Sequence, residues 1–165
     1  MRYHVAGQSH RGAVRESNQD VVGWRIADSG NHALLVVADG MGGHQGGEVA
    51  SRLAVDAVME SLGPEIAEAS PDITDKAIRE YLERAFKLAN ERIVIRRSED
   101  PRLEKMGTTL VVAWVSGNQA HIAHIGDSRC YSLRGSQAVC LTRDDTVVQN
   151  MLEDGSITAA DVPNV

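Results

Sequence analysis

His32-Ala33-Leu34-Leu35-Val36-Val37-Ala38-Asp39-Gly40-Met41-Gly42-Gly43-His44 is the stretch whose pattern decides the fold. Positions 33–38 are apolar without a break. A half-exposed strand would alternate, so 32–39 is read as a strand covered on both faces, which asks for a two-sheet layer. Asp39 ends that strand, where the chain behind it is rigid. Gly40, Gly42, Gly43, Gly46 and Gly47 follow. With no Cβ in the way, their carbonyls and amides can come close to an ion or a phosphate. The stretch then enters a helix, whose N-terminus favours anions. A plain Gly-rich turn with a helix-capping role is the alternative. A nucleotide loop is disfavoured, because there is no Gly-Lys-Ser/Thr and no Gly-x-Gly-x-x-Gly between a strand and a helix.

Working outward, strands are predicted at 5–9 and 20–27, with the polar turn Asp28-Ser29-Gly30-Asn31 leading into the central run. Apolar residues at spacings of three and four predict a helix over 46–62, stopped by Gly63-Pro64. A longer helix starts within 70–72 and runs to about 97, with Ile78, Leu82, Ala85 and Ala89 in its inner stripe. Beyond a charged loop at 98–105, strands are predicted at 108–115, 119–125, 129–133 and 138–142. Gly117-Asn118 and Arg134-Gly135-Ser136-Gln137 supply the hairpin signals. In simple register the last hairpin brings Cys130 near Cys140 as an ordinary core pair. A short helix over 146–152 and a possible turn from 158 close the chain. Strands, two consecutive helices and a strand meander make an α+β fold with mostly antiparallel pairing.

The chain has 165 residues, which fits one domain over 1–165. Seventeen Lys and Arg against 23 Asp and Glu leave a formal charge of −6. That argues against nucleic acid and acidic membrane surfaces, which want a basic face. The run at 33–38 is far shorter than the roughly 20 residues of a membrane helix. Met1-Arg2-Tyr3-His4-Val5 has no signal-peptide character. Two cysteines make no disulfide framework, so the expected location is a reduced cytoplasm.

Acidic residues recur at strand ends: Asp20 after Arg15-Glu16-Ser17-Asn18-Gln19, then Asp39, Asp127 in Gly126-Asp127-Ser128, and Asp144-Asp145. Any one of them is most simply a turn or cap residue. Gathered at one sheet rim they would repel, and a site that keeps them ionised usually holds a hard divalent cation. Oxygen donors favour Mg²⁺ or Mn²⁺ over zinc. His121 and His124 lie an odd number of residues apart on one strand and face opposite sides. His44 follows the Gly-rich stretch and could reach a site built around Asp39.

Arg15-Glu16-Ser17-Asn18-Gln19-Asp20, Val37-Ala38-Asp39-Gly40-Met41-Gly42-Gly43-His44, Met106-Gly107-Thr108-Thr109, His124-Ile125-Gly126-Asp127-Ser128-Arg129 and Leu141-Thr142-Arg143-Asp144 occur in that order. The ordered set resembles the metal-dependent protein serine/threonine phosphatase family, type 2C, in its compact bacterial form. The resemblance implies a four-layer α-β-β-α sandwich of two sheets flanked by helices, with a centre for two Mg²⁺ or Mn²⁺ ions at one edge. It implies that Asp39 bridges the ions, that Gly40 offers its carbonyl, that Asp20 acts through water and that Asp127 belongs to a weaker third site. Arg15 would hold the substrate phosphate and His44 would protonate the leaving alkoxide, while a metal-activated water attacks phosphorus.

The resemblance further implies phosphorylated protein substrates and an opposing Ser/Thr kinase. Two departures stand out. Asp145 occupies a position where many relatives have His. The chain also stops at Val165, where bacterial relatives continue with further metal carboxylates and closing strands. Residues 146–165 would then begin a flap beside the site. The expectation is an incomplete sandwich and a weak or inactive enzyme. The alternative is a module that binds phosphoproteins without turnover.

Overall fold

The computed structural model describes residues 2–43, 46–156, 158–160 and 162. β1 (Asp20–Ile26) and β2 (His32–Met41) form an antiparallel hairpin. Two long helices follow, α1 (Gly46–Glu68) and α2 (Asp75–Glu99), and then a 3₁₀ turn at Pro101–Leu103. The chain returns through β3 (Gly107–Thr108), β4 (Leu110–Ser116) and β5 (Gln119–Ile125), and through a hairpin of β6 (Tyr131–Arg134) and β7 (Gln137–Cys140). It ends in α3 (Val147–Glu153). The main sheet has the order β1-β2-β4-β5, with β3 paired to the end of β2, and β6–β7 is a separate pair. Every pairing is antiparallel. This is the α+β architecture the sequence pattern predicts.

Alternate residues of the central strands build the core. Leu34, Val36 and Ala38 of β2 and Leu110, Val112 and Trp114 of β4 pack with Ala54, Val58, Leu62 and Ile66 of α1 and Ile78, Leu82 and Ala85 of α2. Trp114 is fully buried, stacks on Tyr81 at 5.9 Å, and donates its indole N–H to His32 Nδ1 at 3.3 Å. Each large aliphatic side chain buried here contributes about 1.5–3 kcal/mol, so this helix-on-sheet layer is the principal stabiliser.

The apolar run is covered on the helix side and only in part on the other. Val37 and Trp24 are 44% and 43% exposed on that second face. Part of its cover comes from the N-terminal segment: a Cβ at Gly7 would lie 2.6 Å from the Trp24 ring. That segment does not form the strand predicted at 5–9. It is tied instead by the Tyr3 N–H to the Gly30 carbonyl (3.3 Å) and by the Tyr3 hydroxyl to the Gly117 carbonyl (2.6 Å). Among the described residues no strand lies beside it to complete a ladder.

Other boundaries move for identifiable reasons. α1 runs through Gly63-Pro64 to Glu68. Proline removes one helical hydrogen bond, but Leu62 and Ile66 on either side are completely buried, and that burial holds the helix together. α2 begins at Asp75 because the Thr74 hydroxyl caps it, accepting from the Ala77 N–H at 3.2 Å. The hairpin pairs Tyr131 with Cys140, so Cys130 sits one position out of register with Cys140. A one-residue offset puts side chains on opposite faces. Both thiols are free and Cys140 is exposed, so the two do not form a core pair. No helix among the described residues is long and apolar enough to cross a membrane.

Candidate active site

β1 and β2 are in register so that Asp20 lies directly opposite Asp39. Carboxylates opposed in this way repel each other. The Asp39 carboxyl is held above the usual aspartate range. Partial burial is the largest cause, followed by the charge of Asp20 and a hydrogen bond with it, and then by the charge of Asp127. Arg15 opposes the shift. Three acids from separate segments and one guanidinium therefore share a single electrostatic site.

Two clefts meet at Asp39. The larger, about 820 Å³, is lined by Arg15, Glu16, Asp39, Gly40, Gly42, Gly43, Glu48, Thr109 and Asp127, among others. The smaller, about 210 Å³, includes His10, Arg11, Asn18 and Asp20, and shares Arg15, Asp39 and Gly40 with the first.

The glycines are needed for close approach and for positive φ. A Cβ at Gly40 would sit 2.0 Å from the Gly47 carbonyl oxygen, so the end of β2 lies directly against the first turn of α1. Ser51 reinforces this junction by donating to the Gln19 carbonyl at 2.6 Å. Gly42, at φ +125°, turns the chain in a region that side chains rarely adopt. Its Cβ would strike the backbone of Lys105 and Met106. The N-terminal turn of α1 thus borders the cleft, which suits an anion.

The second wall is the Gly126-Asp127-Ser128 loop. Thr109 is buried, accepts the Asp39 N–H on its hydroxyl at 3.0 Å, and lies 2.6 Å from the Ser128 hydroxyl. Arg129 leaves this loop to make a two-pronged ion pair with Asp144, at 2.8 and 2.7 Å. The Asp145 N–H donates to the Gly126 carbonyl at 2.9 Å.

Of the residues singled out in the sequence, Arg15, Asp39, Gly40 and Asp127 line one cleft, with Asp20 in the adjoining one. His44 lies outside the described residues. Asp144 and Asp145 do not line the clefts; they brace the Asp127 loop. Glu48 and Thr109 line the cleft although the sequence reading assigned neither a role. The signal for Thr109 was its place in Met106-Gly107-Thr108-Thr109, but nothing local showed that its hydroxyl would reach across to Asp39.

The groups that could face a cation here are hard oxygens: the Asp20, Asp39 and Asp127 carboxylates and the Gly40 carbonyl. Their mutual repulsion is what a divalent cation relieves. Among the described residues, no three His, Cys, Asp or Glu side chains form a metal-binding group by themselves.

Comparison with known proteins bears on this arrangement. The sequence model for Protein phosphatase 2C matches residues 6–159. The chain is 39% identical over 158 residues to the serine/threonine protein phosphatase PstP of Mycobacterium tuberculosis, covering 96% of this chain and 28% of that protein. It is 34% identical over 161 residues to the serine/threonine phosphatase stp of Listeria welshimeri, covering 98% of this chain and 62% of that one. The crystal structure of the PstP catalytic domain, solved with two manganese ions, superposes with a TM-score of 0.71 at 38% identity, covering 94% of this chain and 61% of that one. The chain therefore spans less than two thirds of the length of these relatives. With matching segments over nearly its whole length and the acidic clefts in place, the chain belongs to the protein phosphatase 2C family.

Proposed function

We propose that this chain carries part of the active site of a metal-dependent phosphatase acting on phosphoserine and phosphothreonine in proteins. The observation that carries the reading is the Asp20–Asp39 cross-strand pair, placed at the junction of two clefts with Arg15 facing it. Mg²⁺ or Mn²⁺ is the proposed cofactor, in line with the two manganese ions of the PstP structure. Asp39, the Gly40 carbonyl, Asp20 and Asp127 are the proposed holders. A divalent ion there supplies positive charge against the phosphoryl oxygens and lowers the pKa of a water.

The remaining roles fall to side chains. Arg15 offers a planar fork of donors suited to a phosphate. The N-terminal turn of α1 adds partial positive charge from the aligned peptide dipoles of the helix. The role proposed for His44, protonating the leaving serine or threonine oxygen, rests on the sequence motif. Residues 146–165 are proposed as the start of a flap. The Asp145 hydrogen bond to Gly126 ties the residue just before that segment to the Asp127 loop. A Ser/Thr kinase that loads the same substrates is the proposed opposing partner, and cytoplasm the proposed location.

One observation favours a second reading, phosphoprotein binding without turnover: among the described residues no three His, Cys, Asp or Glu side chains form a group able to hold a metal ion by themselves. The experiment is phosphate release from a phosphothreonine peptide and from p-nitrophenyl phosphate, with Mn²⁺ and with excess chelator. Mn²⁺-dependent release supports the enzyme. Release that persists in chelator refutes the metal reading. Peptide binding with no release under any condition selects the second reading.

A further inference from the structure

The ladder along β2 is interrupted between its β4 and β3 partners, at Ala38 and Asp39. Residues 40 and 108 pair, as do 37 and 111, which sets Asp39 against Thr109 by continuation of the register. The Thr109 N–H donates to the Asp39 carbonyl at 2.9 Å, as an antiparallel hydrogen-bonded pair requires. The return bond should run from the Asp39 N–H to the Thr109 carbonyl. Instead it runs to the Thr109 hydroxyl, at 3.0 Å. The displaced carbonyl is taken up by the Thr108 hydroxyl at 2.8 Å.

Thr109 also touches the opposite wall. A Cβ at Gly126 would come within 2.8 Å of the Thr109 methyl, so the loop lies directly on this side chain. The Thr109 hydroxyl, which accepts from the Asp39 N–H, also shares a hydrogen bond with Ser128 Oγ, 2.6 Å away, in which either hydroxyl can be the donor. One buried threonine therefore bonds the peptide that carries Asp39 and abuts the two residues that flank Asp127.

We infer that Thr109 is a positioning residue: its hydroxyl sets the spacing between the Asp39 and Asp127 carboxylates, and through it the affinity of the site for a divalent cation. The inference rests on the metal-site reading above and reaches a residue that reading does not use. Without the hydroxyl, the Asp39 N–H either loses its acceptor or returns to the backbone ladder, and the Ala38–Asp39 peptide that carries the side chain turns with it.

The test is Mn²⁺ binding to the chain, counted by the electron paramagnetic resonance signal of free Mn²⁺, with a thermal melt of each variant. Groups that orient a metal ligand typically matter by about 10–100-fold in affinity, so Thr109→Val is expected to weaken Mn²⁺ binding by about tenfold or more while Thr109→Ser stays within about twofold. A folded Thr109→Val that binds Mn²⁺ like the parent overturns the inference. So does a Thr109→Ser that is as weak as Thr109→Val, because the hydroxyl on its own would then hold nothing in place. If Thr109→Val does not fold, Ser128→Ala removes only the far partner, and its unchanged affinity is equally fatal. An unmodified chain that binds no Mn²⁺ overturns the metal site itself, and this inference with it.

Discussion

Replacing Asp39 by Asn should make the metal-free protein more stable while removing its response to metal. Asp39 faces Asp20 across the hairpin, and the two like charges work against the fold. A directly opposed like-charge pair costs about 0.2–1 kcal/mol, and Asp39 is solvent-exposed enough that screening limits any larger figure. Relief of about 0.5–1 kcal/mol corresponds to a rise in Tm of about 1–4 °C for a chain of this size.

The pH dependence has a definite sign. A carboxyl whose pKa is raised on folding binds its proton more tightly in the folded state, so stability falls as pH rises through that value. The advantage of the Asn variant should therefore be complete at pH 7 and vanish below the ordinary Asp pKa of about 3.9. Metal reverses the order. Mn²⁺ at a hundred times its Kd adds about 2.7 kcal/mol to a protein that binds it only when folded. The parent should gain this and Asp39→Asn should gain little. Thermal melts in chelator and in Mn²⁺, at pH 7 and at pH 3.5, read all four corners. A variant less stable than the parent in chelator at pH 7 would refute the repulsion argument. Equal gains from Mn²⁺ would refute the metal assignment.

Arg15→Ala should raise KM for a phosphopeptide by roughly tenfold or more with a smaller change in kcat, since a hydrogen bond to a charged group contributes about 1.5–3 kcal/mol; steady-state kinetics decide it, and an unchanged KM removes Arg15 from phosphate binding. Gly40→Ala forces a methyl to 2.0 Å from the Gly47 carbonyl and should destabilise by about 1–3 kcal/mol in urea unfolding. A neutral result would mean that the junction between β2 and α1 is looser than it appears. The Arg129 fork holds the Asp144 carboxyl below its usual range, so the stabilisation from that pair is present above the ordinary Asp pKa and is lost as pH falls through the lowered one. Carboxyl NMR titration should place Asp144 below the ordinary value and Arg129→Ala should return it there; an Asp144 that titrates normally in the parent dissolves the pair.

Several site residues were legible from residue type and position alone. Asp39 follows a continuous apolar run and precedes glycines, so a rigid carboxylate beside an accessible backbone could be read directly. The periodicity of 78–89 identified the inner face of α2, because burial follows the 3.6-residue repeat. Asp144 was legible only as an acid at a strand end. Its engagement by Arg129 depends on a hairpin bringing together residues 15 apart in the chain. Pro64 reads locally as a stop, yet the burial of Ile66 overrides it.

What the linear sequence settles by itself is the class of fold and the kinds of group available: apolar periods, glycines where a Cβ would clash, and carboxylates where strands end. These follow from local sterics and from which side chains leave water. What only the tertiary structure decides is who faces whom. The register that sets Asp20 against Asp39, the ladder break that hands the Asp39 N–H to the Thr109 hydroxyl, and the diversion of Asp144 to Arg129 all join segments distant in the chain. Such contacts depend on a fixed strand register, because a slip of even one residue turns a strand's side chains to the other face.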